Sequence, residues 1–379
     1  PGMRQRRFLA PWHQKGLMEN CLDNLEGVNQ EVAEAEMRAM QGRSAIYHCV
    51  SRVVNRDFVL KREEKEEFVR LMRTYEGFCE VGVLTFCVMS NHFHLLLEVP
   101  AAPDCGGRSW SDERVLAQLG KLYSEAEFGK LRSELELYRS QGNEEAAEHF
   151  RAKCFARMWN LSQYMKSLKQ CFTQWFNRKH GRRGTLWEER FQNELIEEGH
   201  AVRTVAAYID LNPVRAGMVN DPKDYRWSGY GEAVAGGKQA RKGLRRVLFE
   251  EHATRMNEEL AGEALAGWEE VQKKYRVVLF ADGEQGVRDE MKNRKGISKE
   301  RVNEVLKVGG RLSEAEMLRC RTRYFLDGLA IGSEGFINWV FGMMRGYFGA
   351  KRRNGARKMR EVETTLCTLR DLRKQAVVP

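Results

Sequence analysis

The chain has 379 residues, 42% of them hydrophobic and 10% aromatic, which is material for two or three domains with a substantial core. No run of about 18 uninterrupted apolar residues occurs, which excludes a membrane-spanning helix. The formal charge of +10 favours a polyanionic partner, nucleic acid first.

Nine cysteines with irregular spacing and no C-x-x-C pair argue against a zinc ribbon and a disulfide framework, and for reduced thiols. Arg4, Arg6 and Arg7 make the first residues basic without an apolar signal core, which argues against secretion. Met3 reads as the native start, with Pro1 and Gly2 left by cloning. Residues 1–44 form an N-terminal arm that includes an acidic, helix-prone run at 29–40.

From Ala45 the composition changes. Ala-Ile-Tyr-His-Cys-Val-Ser-Arg-Val-Val reads as a strand, rich in β-branched and aromatic residues. Residues 62–76 carry Phe68, Leu71 and Met72 at helical spacing. Two strands follow, 81–89 and 92–99, joined by a turn at Ser90-Asn91 and stopped by Pro100. Strand, helix, strand, strand is the pattern of a small antiparallel α+β sheet. Residues 101–160 read as a loop and then a helical insertion standing off the sheet. A basic amphipathic helix spans 161–179, a last strand falls within 186–196, and a helix over 202–211 stops at Asn212-Pro213. Residues 238–379 form a mainly helical, basic extension with helices at 302–306, 314–324 and 336–344. From Lys351 to Lys374 it holds nine basic and three acidic residues.

Two segments carry chemistry. In Asn91-His92-Phe93-His94 the histidines point to one strand face, because strand side chains alternate, and can share one cation. Two polar residues on a solvated face is the plainer alternative. The flanking Leu84, Cys87, Val88, Leu95, Leu96 and Leu97 put this strand in the middle of a sheet, where paired histidines need a reason. In the second segment Tyr208 and Asn212 stand four residues apart, on one face of a helix that Pro213 ends.

Together these segments resemble a known family. Leu84-Thr-Phe-Cys-Val-Met-Ser-Asn-His-Phe-His-Leu-Leu-Leu-Glu-Val-Pro100 is similar to the HUH signature strand of single-tyrosine transposases. Tyr208-Ile-Asp-Leu-Asn-Pro-Val-Arg-Ala-Gly217 resembles the nucleophile helix of the REP-associated tyrosine transposases. Met165-Lys-Ser-Leu-Lys169, the run Phe172 to Phe191, and Tyr225-Arg-Trp-Ser-Gly-Tyr230 are similar to the same family, in the same order. The resemblance covers about residues 45–230, implies a catalytic domain over 45–237, and implies a ferredoxin-like HUH palm, an antiparallel sheet with helices on one side. It implies a metal-dependent DNA strand-transferase that cleaves and rejoins single-stranded DNA at imperfect hairpins. Tyr208 is then the nucleophile that forms a 5′-phosphotyrosine, and His92, His94 and Asn212 hold Mg²⁺ or Mn²⁺. Asp210, on another face of the helix, is not a ligand.

DNA binding falls to Arg52, Asn55 and Arg56 after the first strand and to Arg178, Lys179, Arg182, Arg183, Trp187 and Arg190 further on. Basic residues neutralise phosphates and aromatic faces stack on unpaired bases. Phe172 and Phe176 read as the core face of their helix. The same resemblance implies a cytoplasmic, nucleoid-associated protein acting as a monomer or a homodimer. A rolling-circle initiator or relaxase is a rival with the same chemistry, disfavoured by the single tyrosine and the Tyr-x-x-x-Asn-Pro order. A catalytically silent, structure-specific DNA-binding protein is the rival from another class.

Overall fold

The computed structural model describes residues 8–13, 42–103, 107, 109–249, 267–280, 312–313, 325, 328–359 and 362–371. Arg4, Arg6 and Arg7 of the N-terminal arm and the helices expected at 29–40, 302–306 and 314–324 lie outside the described residues. In chain order the first elements are β1 (Ala45–Arg52), α1 (Arg62–Cys79), β2 (Gly82–Val88) and β3 (His92–Val99). The insertion follows as three helices, α2 (Asp112–Gly120), α3 (Glu125–Ser140) and α4 (Glu144–Phe155). Then come α5 (Leu161–Lys179), β4 (Gln192–Ile196), α6 (His200–Asp210) and the single turn α7 (Asn212–Arg215). Three further helices are α8 (Gly229–Val234), α9 (Lys238–Leu248) and α10 (Trp268–Phe280). The C-terminal part adds β5 (Ala330–Gly332), α11 (Glu334–Met343), β6 (Arg357–Lys358) and β7 (Cys367–Leu369).

Seven strands form one sheet in the order β2-β3-β1-β4-β5-β7-β6. The expected antiparallel sheet is present: β1 pairs antiparallel with β3 and with β4, and β2 pairs antiparallel with β3. The β4–β5 pairing is parallel, and through it the C-terminal strands extend the same sheet. Those strands are two or three residues long, too short to show an alternating pattern in the sequence.

The helices cover both faces of the sheet rather than one. Strands β1, β2 and β3 are buried along nearly their whole length, and a strand apolar on both faces must be covered twice. One face gathers Tyr47, Cys49, Phe86, Phe93, Leu95 and Leu97 under α1 and α5, with the insertion beyond them. The other gathers Ile46, Leu84, Leu96 and Ile196 under α6, α8, α9 and α10. Helix α9 lies so close to β2 that a Cβ on Gly243 would sit 2.4 Å from the Leu84 carbonyl oxygen. Only glycine allows that approach.

Helix α5 shows how local sequence sets this packing. The Asn160 side chain accepts from the Gln163 amide and caps the first turn. Leu161, Met165, Leu168, Phe172 and Phe176 recur every three or four residues and are buried, while Arg178 and Lys179 close the C-terminal end, where the helix dipole favours cations.

Candidate active site

Alternation along the strands brings three histidines to the α6 face. His94 pairs across to Val50 and His92 to Arg52, so Arg52 shares their face. His48, two residues before Val50 on β1, points the same way, and its partner on β4 is Glu194. The ring centroids of His92 and His94 are 5.1 Å apart, and the His48 and His94 rings stack at 5.2 Å.

Helix α6 crosses this face and delivers Tyr208, whose ring centroid lies 5.8 Å from that of His94 and 6.1 Å from that of His48. The Phe325 ring covers it from the other side at 4.4 Å, and Tyr208 is only 4% exposed. Arg215, seven residues on and therefore two turns along the same side, stacks over the Tyr208 ring at 4.2 Å and donates to the Tyr208 carbonyl at 2.6 Å. Burial pushes the Tyr208 phenol above its ordinary value; Arg215 and Arg52 pull it back down, and Glu194 opposes them. Burial first, then the neighbouring His92 and His48, holds His94 well below the usual histidine value. His94 is therefore a neutral imidazole, the form that ligates metals.

The helix itself is pinned by Asp210. Its fully buried carboxylate accepts from Thr85 Oγ1 at 2.8 Å, from the Tyr230 amide at 3.0 Å and from the Tyr275 hydroxyl. One side chain thus ties α6 to β2, α8 and α10. Asp210 points away from the histidines, in keeping with its exclusion as a ligand.

The donor set fits a divalent cation. Asn91 Nδ2 donates to the Arg56 carbonyl at 2.9 Å, which turns Asn91 Oδ1 toward His92 Nδ1 at 2.7 Å. An amide oxygen only accepts, so His92 carries its proton on Nδ1 and its lone pair on Nε2. Asn212 Nδ2 donates back to the Tyr208 and Ile209 carbonyls at 3.2 Å each, which leaves Oδ1 as the atom it can offer a cation. Among the described residues no group of three His, Cys, Asp or Glu side chains converges as a metal site. A divalent cation here would have two imidazoles and an amide oxygen as its protein donors.

The basic residues divide. Arg52, Arg56 and Arg190 line a cleft of about 200 Å³ together with Glu188, Glu189 and Gln192. Asn55 and Arg56 both adopt positive φ, 57° and 60°, in the turn after β1. Arg178, Arg182 and Arg183 are exposed around the end of α5. Lys179 is paired with Glu63 and Glu64. Trp187 is 6% exposed, with its ring against Phe68, Phe93 and Phe172, so it sits in the core rather than presenting a free stacking face. Phe172 and Phe176 are core residues, as their spacing implies.

His48, Glu194, Arg215 and Phe325 belong to the site without having been singled out in the sequence. A lone histidine or glutamate in a strand has no spacing partner to mark it. Arg215 carried a signal, seven residues beyond Tyr208 on one helical face.

Residues 42–105 match the family model of the IS200-like transposases, a span that contains β1 to β3 and both signature histidines. No curated protein matches the chain. A solved structure of a REP-associated tyrosine transposase bound to a REP hairpin is 15% identical over 51% of this chain and 81% of the other, at a TM-score of 0.32. Among the described residues no helix is long and apolar enough to cross a membrane. Over residues 42–105, the segment that carries its histidine strand, the chain matches the IS200-like transposases.

Proposed function

We propose that the chain is a metal-dependent transposase or DNA strand-transferase that cleaves and rejoins single-stranded DNA at hairpin elements through Tyr208. The observation that carries this reading is the position of Tyr208 against His94, on the face of β3 that also holds His92. Residues 45–237 are the catalytic domain, 101–160 its insertion, and 238–379 an extension.

Tyr208 attacks the scissile phosphorus, its oxygen bonds to phosphate as a 5′-phosphotyrosine, and the departing strand leaves with a 3′-hydroxyl. The bond is exchanged rather than hydrolysed, so a 3′-hydroxyl can reverse the step. A phenol with an ordinary pKa of ~10 is a weak nucleophile at neutral pH. Arg215 stabilises the phenolate directly, and Arg52, opposite His92, offers positive charge to the phosphate. His92, His94 and Asn212 are the residues that hold Mg²⁺ or Mn²⁺, which when bound neutralises the phosphodiester and the charge that develops on it. The Arg52, Arg56 and Arg190 cleft, with Arg182 and Arg183, receives the DNA backbone.

One observation favours a second reading. The near-complete burial of Tyr208 beneath Phe325 suits a silent hairpin-binding protein, unless DNA displaces that ring. The test is a labelled single-stranded hairpin with its flanks, incubated with the protein and Mn²⁺ and run on a denaturing gel beside Tyr208→Phe. A retained adduct that the variant lacks supports the transferase. Tight hairpin binding with no adduct supports the silent reading.

A further inference from the structure

We propose that Glu194 and His48 form a positioning relay that fixes the tautomer of His94 and so presents its Nε2 lone pair to the cation. This rests on the reading of the Tyr208 site given above. Three cross-strand neighbours on one face build the relay. Glu194 on β4 stands directly opposite His48 on β1, and His94 on β3 is the diagonal neighbour on the other side. His48 Nε2 lies 3.0 Å from His94 Nδ1, and His48 Nδ1 lies 3.7 Å from Glu194 Oε2. All three side chains are buried, with exposures of 1%, 2% and 3% for His48, His94 and Glu194.

The contact between the two imidazoles has two polarities, and Glu194 selects one. His48 Nδ1 and Glu194 Oε2 are buried atoms with no other hydrogen-bond partner, and they face each other. Leaving both buried and unsatisfied is unfavourable, and a closure of under an ångström joins them. A carboxylate only accepts, so His48 carries its proton on Nδ1. In the neutral imidazole His48 Nε2 is then a lone pair and accepts from His94 Nδ1–H. His94 Nε2 is left with the lone pair, matching the state that Asn91 imposes on His92. Both signature histidines thus present the same nitrogen, each fixed by a partner outside the ligand set. His48 is excluded as a ligand through Nε2 because that nitrogen is spent on His94.

The second oxygen of Glu194 fixes its orientation. The Gly328 amide donates to Glu194 Oε1, and a Cβ at residue 328 would meet that oxygen at 2.7 Å. This makes Glu194→Gln a sharp perturbation. The Gly328 amide requires an acceptor, so the glutamine oxygen takes the Oε1 place and its NH₂ faces His48. The NH₂ donates to His48 Nδ1, His48 moves its proton to Nε2 and donates to His94, and His94 is left with its proton on the nitrogen that should bind metal.

The experiment uses the full chain, titrated with Mn²⁺ alone and followed by the electron paramagnetic resonance of free Mn²⁺. Glu194→Gln and His48→Leu are expected to weaken Mn²⁺ binding about 10–100-fold. His48→Gln should recover most of it, because a glutamine oxygen can accept from His94 Nδ1–H. Thermal melting of the metal-free variants checks that they fold. Nitrogen-resolved NMR of the metal-free protein supplies a readout that a merely structural role would not move: His94 as Nδ1–H in the unmodified chain and as Nε2–H in Glu194→Gln. Mn²⁺ affinity of folded Glu194→Gln within twofold of the parent, or His94 as Nε2–H in the parent, overturns the relay. If His92→Ala also leaves Mn²⁺ binding unchanged, the cation does not sit at the histidines and the underlying reading falls too. If His92→Ala abolishes binding and Glu194→Gln does not, the relay alone is wrong.

Discussion

Replacing Asp210 with asparagine should remove a specific pH dependence from the stability of the protein. Burial pushes the Asp210 carboxyl from 3.8 up to about 6, against the pull of the hydrogen bonds from Tyr275, Tyr230 and Thr85. The native state therefore binds this proton more tightly than the unfolded chain. The native advantage is complete below the unfolded value near 4 and is lost as pH rises through about 6. A shift of about two units corresponds to about 3 kcal/mol, a large share of the ~5–15 kcal/mol by which a typical domain is stable. Asparagine fits without stranding any group. Its oxygen accepts from the Tyr230 amide, its NH₂ takes the place of the other oxygen, and the Thr85 and Tyr275 hydroxyls rotate to accept from it. Urea unfolding of the parent and Asp210→Asn at several pH values between 4 and 7.5 measures the difference, and subtraction cancels every other titrating group. The parent should lose about 3 kcal/mol relative to the variant across that range, with the m-value unchanged. A difference that is flat with pH, or that moves in the parent's favour as pH rises, refutes the argument. Asp210→Ala, which strands three donors, should be destabilised at every pH.

Removing the Arg215 guanidinium with Arg215→Leu should slow adduct formation about tenfold or more and move its pH dependence upward, because the phenol loses the cation stacked on it; a single-turnover rate against pH reads both effects. Trp187→Ala should destabilise the protein by about 3–5 kcal/mol, as for a buried aromatic, while hairpin affinity measured well below the melting temperature stays near that of the parent. Arg182→Ala and Arg183→Ala should each weaken hairpin binding and flatten the slope of log affinity against log salt by about 0.7–0.9, measured by fluorescence anisotropy.

The parts legible in the sequence were those with a period or a paired motif. The amphipathic spacing from Leu161 to Lys179 matched α5, and the strand 92–99 matched β3 with its two histidines on one face. The helix expected at 202–211 is α6, continued by the single turn that carries Arg215. Arg215 was therefore within reach of the same spacing argument that joined Tyr208 to Asn212. His48 and Glu194 were not, because their significance depends on which strands become neighbours, and β1 pairs with β4 across more than a hundred intervening residues. The second helical layer was hidden for a related reason. Strands 81–89 and 92–99 read as continuous apolar runs, the mark of cover on both faces, but which helices supply the second cover depends on how distant segments pack. Trp187 was read from its basic neighbours, yet packing against Phe68, Phe93 and Phe172 decides its place.

The central claim is that Tyr208 becomes covalently joined to DNA. Digestion of the protein–DNA adduct with a protease and a nuclease, followed by mass spectrometry of the peptide that retains a nucleotide, identifies the attached residue. The account predicts one modified peptide, with the phosphate on the Tyr208 oxygen and absent when Mn²⁺ is chelated. Attachment at another residue, or cleavage of the hairpin without any modified peptide, would contradict it.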